Sequence, residues 1–295
     1  MAWYGGRAGA HHRSSATRGR APGSSLLTSR SRAPYAHPVS LSPAVDGRLG
    51  VAKTFKLYLG GAFPRSESGR SYPVTDSKGR LMAHAALASR KDVRDAVSAA
   101  RSAFGGWSGA TAYNRGQVLY RVAEMMQARD EQFVDDVVAA EGVTRKKAAT
   151  SVNAAIDRWV WYAGWTDKIT SVLGSVNPVA GPLVNWSTPE PTGVVAVLAP
   201  QQSSLLGLVD VLAPVLATGC TAVVVASQER PLPAVGLAEV LATSDVPGGV
   251  VNILTGSTSE LAPWLAAHGE VSGLDLAGAP EEIAVECERA AAGSV

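Results

Sequence analysis

The residues in this chain that could do chemistry fall into two groups, a pair of thiols and a set of polar loops. The thiols are Cys220 and Cys287, the two cysteines of the sequence. A cysteine attacks a substrate as the thiolate, so a reactive one needs a base or a cation to lower its pKa. Neither has an adjacent one. Cys220 lies in Gly219-Cys220-Thr221, just ahead of an apolar run. Cys287 has Ile283 and Ala291 four residues to either side, the spacing of one helix face. Free cysteine is among the most buried residue types, so both read as packing residues. Two cysteines also exclude a disulfide scaffold and a four-cysteine zinc module. The histidines offer little. His84 is isolated. His268 falls where a helix should end, a favourable place against the helix dipole. His11-His12 has no carboxylate or thiol partner nearby and reads as a solvated pair. No Gly-x-Ser-x-Gly elbow is present.

The polar loops are Pro200-Gln201-Gln202-Ser203-Ser204, Ser227-Gln228-Glu229-Arg230-Pro231 and Thr255-Gly256-Ser257-Thr258-Ser259-Glu260. Each follows a short apolar run and precedes a stretch of helical length. Ligands of parallel sheets bind at this position, beyond the carboxyl ends of strands and near helix N-termini. Gly256 would allow a phosphate to approach closely, and Ser257 with Glu260 has the spacing of a capping box. The simpler reading is a set of capped helix starts. Neither a Gly-x-Gly-x-x-Gly nor a Walker A motif follows any of the runs.

The elements that must position these loops are legible from periodicity. The runs at 194–199, 222–226 and 250–254 are apolar without interruption, and 205–218 and 233–243 between them are of helical length. Strands apolar on both faces, alternating with helices, predict a doubly wound (Rossmann-like) parallel sheet in an α/β fold. Val271–Leu276 is a weaker fourth strand that carries Asp275. A last helix opens at Pro280 with Glu281-Glu282 in its first turn and runs towards Val295. Upstream, Phe55–Leu59 alternates and Gly60-Gly61 turns, which predicts a hairpin. Leu81–Leu87 reads as a strand. Ser89 and Asp92 form a capping box that opens a helix burying Val93, Ala96, Val97, Ala100 and Phe104. Further helices are expected after Asn114, near Glu131 and from Arg145 to Asp167. The Trp159, Trp161, Tyr162 and Trp165 cluster is expected in the core, with a subunit interface as the alternative.

Composition bounds the function class. Of 295 residues, 46% are hydrophobic, enough for a large core, and no apolar run is long enough to span a membrane. The formal charge of +2 conceals an asymmetry: residues 1–50 hold seven arginines and one acid, and the remainder has 20 bases against 24 acids. A mildly acidic body argues against nucleic acid as a partner. The Arg- and Ser-rich segment 1–52 has no periodic apolar pattern and is expected to be disordered. It lacks the apolar core of a secretory signal, so a cytoplasmic location is expected. The expected organisation is therefore a tail (1–52), a helical and hairpin portion (53–190), and an incomplete α/β domain (191–295).

From about Lys56 onward the chain resembles the aldehyde dehydrogenase superfamily. The resemblance is carried by Leu57-Tyr58-Leu59-Gly60-Gly61, Asn114-Arg115, Tyr162-Ala163-Gly164-Trp165, Glu190-Pro191-Thr192-Gly193-Val194-Val195, and Leu212-Ala213-Pro214 through Thr221. It is most specific in the unbroken match from Val246-Pro247-Gly248-Gly249 to Thr255-Gly256. The resemblance implies NAD or NADP as cofactor, with Gln228, Gly256 and Gly278 at cofactor-binding positions. It also marks departures. Gln202 stands where the family has an oxyanion-hole Asn. The family's Lys-Pro-Ser-Glu ribose clamp becomes Val225-Ala226-Ser227-Gln228, where Gln228 still offers an amide to a ribose hydroxyl. The Phe-Thr-Gly-Ser loop becomes Leu276-Ala277-Gly278-Ala279. The family's general-base Glu and nucleophilic Cys would fall beyond residue 295. The closest likeness is to the divergent, cysteine-less second module of two-module members. The resemblance thus implies a non-catalytic pseudoenzyme with no catalytic residue of its own. It would form a homo-oligomer, or a hetero-oligomer with a full-length aldehyde dehydrogenase, through an arm around Val176–Glu190. The alternative is an NAD(P)-dependent oxidoreductase acting on aldehyde or oxo groups.

Overall fold

A computed structural model describes residues 52–293. Segment 1–51 and the last two residues lie outside the described residues, and the final helix, expected to run towards Val295, ends at Ala291. Strands β1 (Thr54–Phe55), β2 (Ser71–Thr75) and β3 (Leu81–Ala86) make a small sheet in the order β1-β3-β2. Helices α1 (Arg90–Ser108), α2 (Ala112–Gln127), α3 (Asp130–Glu141), α4 (Arg145–Trp165) and α5 (Ile169–Leu173) follow, and then a two-stranded arm of β4 (Ser175–Asn177) and β5 (Asn185–Ser187). The remainder alternates: β6 (Val194–Leu198), α6 (Leu206–Ala217), β7 (Thr221–Val225), α7 (Leu232–Leu241), β8 (Val251–Leu254), α8 (Thr258–Ala266), β9 (Val271–Asp275) and α9 (Glu281–Ala291).

The four strands β6 to β9 form one parallel sheet in the order β8-β7-β6-β9. The chain steps outward from β6 to β8, then returns past β6 to place β9 on its other side. That reversal is the switch point of a doubly wound fold, as the apolar runs predicted. Strands β6, β7 and β8 alternate their side chains between two cores. Ala222, Val224 and Ala226 join the cluster formed with α2, α3, α4, α6 and α7. Val223 and Val225 join the one formed with α1, α8 and α9. Every residue of β7 is buried, which is why this strand shows no polar alternation in sequence. A buried Val contributes about 1.5–3 kcal/mol by leaving water, so the run Val223-Val224-Val225 holds both helical layers to the sheet.

Capping defines where the helices begin. Ser89 and Asp92 form the expected reciprocal box at α1. Asp92 also accepts from Ser66 Oγ at 2.8 Å and Glu67 N at 3.0 Å, which pins the preceding turn. Thr111 caps α2, so that helix starts two residues before Asn114 rather than after it.

Several expectations change. Of the first alternating run only Phe55 lies in a strand, β1, which pairs with β3 in parallel. Tyr58 instead bridges Ile253 at the edge of β8, and Leu59 pairs Ala62 across the expected turn at Gly60-Gly61. Asn252 secures this union: its Oδ1 accepts from Gly60 N at 2.9 Å and its Nδ2 donates to Gly249 O at 2.8 Å. Gly61 has φ +84°, and a Cβ there would come within 2.9 Å of Gly248 Cα, so glycine is required at the contact. Of the aromatic cluster, Trp159 is in the core but Trp161 is 57% exposed, with its ring 6.1 Å from Trp165. The core reading holds for the first and fails for the second, because Trp161 lies on the far side of α4. Phe104 is half-buried, and Trp107 closes the α1 face, donating from its indole to Leu216 O at 3.1 Å. The His268 ring does not donate to the end of α8; its Nδ1 accepts from Glu270 N at 3.2 Å. Among the described residues no helix is long and apolar enough to cross a membrane.

Candidate functional site

The loops after β6, β7 and β8 converge at the carboxyl end of the sheet, and their side chains bind one another. Gln201 donates from Nε2 to Ala199 O at 2.9 Å and accepts at Oε1 from Gln228 N at 3.0 Å. Ser227 Oγ donates to Gln201 O at 3.2 Å. Arg230 Nη1 donates to Gln202 O at 3.0 Å and to Gln202 Oε1 at 2.9 Å. Gln228 Oε1 accepts from Thr258 N, at the start of α8, at 3.3 Å. The first loop is also tied from below. Glu141, the last residue of α3, accepts from both Ser204 N and Ser204 Oγ at 2.8 Å. Ser203 Oγ then accepts from Gly207 N in the first turn of α6. Charge-assisted bonds such as those of Glu141 are the stronger kind, so this end of the sheet is rigidly cross-braced.

A cleft of about 780 Å³ opens beside the braces, lined among others by Tyr72, Asp76, Glu141, Gln228, Glu229 and Arg230. Its chemistry is polar and mainly acidic. Asp76 is held below the usual carboxylate range, chiefly by the Arg80 N–H and guanidinium. The Tyr72 hydroxyl is buried without a hydrogen-bond partner, and burial pushes its pKa upward.

Of the three cofactor positions, Gln228 lines the cleft, but its amide oxygen is already engaged by α8. Gly256 has φ +144°, and a Cβ there would meet Ala88 N at 3.2 Å and Leu87 Cδ1 at 3.4 Å. Gly278 N donates to Leu198 O at 2.9 Å, and a Cβ on Gly278 would fall 2.1 Å from Ala199 O. Packing against the chain's own residues thus accounts for glycine at both positions.

The thiols lie elsewhere. Cys220 precedes β7, at the amino end of the sheet and so about 16 Å from the loops at roughly 3.3 Å per strand residue. It is 4% exposed, and its Sγ is 3.5 Å from Thr192 Oγ1. Burial pushes the Cys220 thiol up, but hydrogen bonds from the Thr192 hydroxyl, Gly193 N–H and Thr218 hydroxyl outweigh it and leave the pKa below its ordinary value. Cys287 is buried under α9, and burial, then the neighbouring Glu286, push it up. Neither cysteine lines the cleft, and no group of three or more His, Cys, Asp or Glu among the described residues could hold a metal ion. Gln201 and Arg230 lie in loops that the sequence marks for ligand binding, but their bracing role, and Glu141 altogether, were not read from sequence. Their partners are too far along the chain to be seen by spacing.

A sheet of order β8-β7-β6-β9, flanked by helices and preceded by a two-stranded arm, defines a dinucleotide-type α/β protein, and the comparisons narrow the class. Residues 63–290 match the model of the Aldehyde dehydrogenase family. The chain is 33% identical over 232 residues to (Z)-2-((N-methylformamido)methylene)-5-hydroxybutyrolactone dehydrogenase of Acinetobacter baylyi, a match covering 77% of this chain and 46% of that one. It is 32% identical over 240 residues to cytosolic 10-formyltetrahydrofolate dehydrogenase of Mus musculus, covering 79% of this chain and 26% of that one. Among solved structures, the NAD+ complex of aldehyde dehydrogenase from Bacillus cereus superimposes with a TM-score of 0.75 at 25% identity, over 80% of this chain and 49% of that chain. Aldehyde dehydrogenase C of Pseudomonas syringae, solved with NAD+ and octanal, gives 0.73 at 28%, over 82% and 48%. This chain belongs to the aldehyde dehydrogenase family. It spans about half the length of the Acinetobacter relative and of these solved structures, and about a quarter of the mouse protein.

Proposed function

We propose that this chain is a non-catalytic member of its family that works by associating with a complete aldehyde dehydrogenase. The observation that carries the reading is the self-bracing of the loops at the carboxyl end of the sheet. Aldehyde oxidation by a thiol enzyme needs a thiolate at the substrate, a hydride acceptor beside it and a base for deacylation. Here the side-chain oxygens of Gln201, Gln202 and Gln228 are engaged within the chain itself, and both thiols are buried away from them. NAD or NADP, when bound to a family member, accepts the hydride. In this chain Gln228 is the residue that would face it, and no reaction step is assigned to it.

The arm supports the association. Val176, Leu183, Val184 and Trp186 are each at least 69% exposed on β4, β5 and the turn between them, and Val172 and Leu173 of α5 continue the same apolar character. Contiguous apolar surface of this kind marks an interaction site.

The test is sedimentation velocity on the purified chain, alone and mixed with a full-length aldehyde dehydrogenase from the same organism. A stable complex that Trp186→Ser weakens supports the reading. A chain that stays monomeric and binds no such partner overturns it. Reduction of NAD or NADP by the chain alone in the presence of an aldehyde would establish instead the oxidoreductase alternative.

A further inference from the structure

We infer that the chain carries a second, small-anion site, selective for a phosphate group, at the junction of β1 with the turn before β2. The site is distinct from the braced loops, which meet its rim where Thr255 Oγ1 donates to Ala86 O at 2.6 Å, and it is independent of the partner reading. A pocket of about 260 Å³ there is lined by Lys56, Arg65 and Arg70, with the hydroxyls of Thr54 and Ser71 and with no carboxylate. None of the three cations makes an ion pair among the described residues. This is notable in a body where acids outnumber bases.

The acids of the adjoining turn and helix start are already committed. Glu67 pairs with Lys91 at 2.9 Å. Asp92 accepts from Ser89 N at 2.7 Å, Ser66 Oγ at 2.8 Å and Glu67 N at 3.0 Å. Capping of α1 thus keeps Asp92 engaged, and no carboxylate lines the pocket. The same bonds fix Ser66 and Glu67, in the turn that brings Arg65 and Arg70 to the pocket. Within that turn Gly69 N donates to Ser66 O at 2.8 Å, and the space where a Gly69 side chain would stand is empty, so the pocket mouth is open.

Two guanidiniums suit the planar, bidentate recognition of phosphate oxygens, and a lysine adds a point charge. The volume lies below the roughly 300–1,000 Å³ of sites for drug-sized ligands. It fits a phosphate group, free or as a small ester, and not a dinucleotide.

The experiment is isothermal titration of the full chain with inorganic phosphate and with glucose 6-phosphate at constant ionic strength. Arg65→Ala, Arg70→Ala and their double variant are compared with Arg94→Ala, which removes an exposed arginine paired to Asp95 outside the pocket. All the altered side chains are exposed, and circular dichroism checks that each variant is folded. Saturable binding that weakens about tenfold in each pocket variant and is unchanged in Arg94→Ala is the expected result. Tighter binding of the ester assigns the site to a phosphorylated metabolite; equal binding assigns it to phosphate itself. Absence of saturable binding, or equal weakening in Arg94→Ala, overturns the site.

Discussion

Removing the charge of Asp136 should stabilise the protein, and by an amount that depends on pH. Asp136 lies on α3 where that helix meets α7 at Gly236; a Cβ on Gly236 would be 3.2 Å from the Phe133 ring and 3.7 Å from Asp136 Oδ2. Burial, then the charges of Asp135 and Glu239, raise its pKa from 3.8 to about 6, and Lys53 opposes them only weakly. The folded state therefore holds this proton more tightly than the unfolded chain. Below pH 3.8 the group costs nothing. The cost grows as pH rises from 3.8 to about 6 and is complete above that. The full shift corresponds to about 3 kcal/mol at 1.36 kcal/mol per tenfold, and hydration of the half-buried carboxylate reduces this to about 1–2 kcal/mol. Asp136→Asn should accordingly gain about 1–2 kcal/mol at pH 8, less at pH 5 and almost nothing at pH 3.5. Urea unfolding of both proteins followed by circular dichroism gives the difference at each pH, and other titrating groups cancel in it. A difference that is independent of pH, or a variant less stable at pH 8, would refute the reasoning.

Three further substitutions probe the frame around the site. Gly278→Ala forces a Cβ to 2.1 Å from Ala199 O, with backbone on both sides, and should cost about 2–4 kcal/mol in thermal unfolding. Asn252→Ala leaves Gly60 N without its acceptor and empties a fully buried position. A loss of about 2–3 kcal/mol is expected, with faster amide exchange at Gly60. Glu141→Ala strips Ser204 of both its bonds, so exchange protection should fall across residues 200–205 while α3 itself stays protected.

The parallel sheet was readable because burial on both faces leaves an unbroken apolar signature, and β7 shows the mechanism at its plainest. Ser89 with Asp92 was readable because a cap is a local chemical event, completed within four residues. β2 escaped because Pro73 sits inside it, and a proline argues against a strand unless the strand is at an edge, as β2 is. α5 is too short for a periodicity to develop. The exposed side of α4 was misjudged because tryptophan is more often buried, and spacing alone does not tell which side of a helix the rest of the protein covers. The braces of the candidate site were invisible for a different reason. Glu141 and Ser204 are 63 positions apart, and Gln201 and Gln228 are 27 apart, so no local pattern announces either pair. The family resemblance pointed to the carboxyl end of the sheet, whereas the bracing network found there is a property of the folded chain.

The burial of both thiols, one just ahead of β7 and one on α9, has a practical consequence. Both are sealed in the folded state, and the whole sequence contains no others. A thiol reagent can therefore reach Cys220 only when the start of β7 parts from its surroundings, and Cys287 only when α9 lifts. Labelling rates at the two positions, resolved by peptide mass, are two native stopwatches. They time the opening of two separate regions of the protein without any engineered probe.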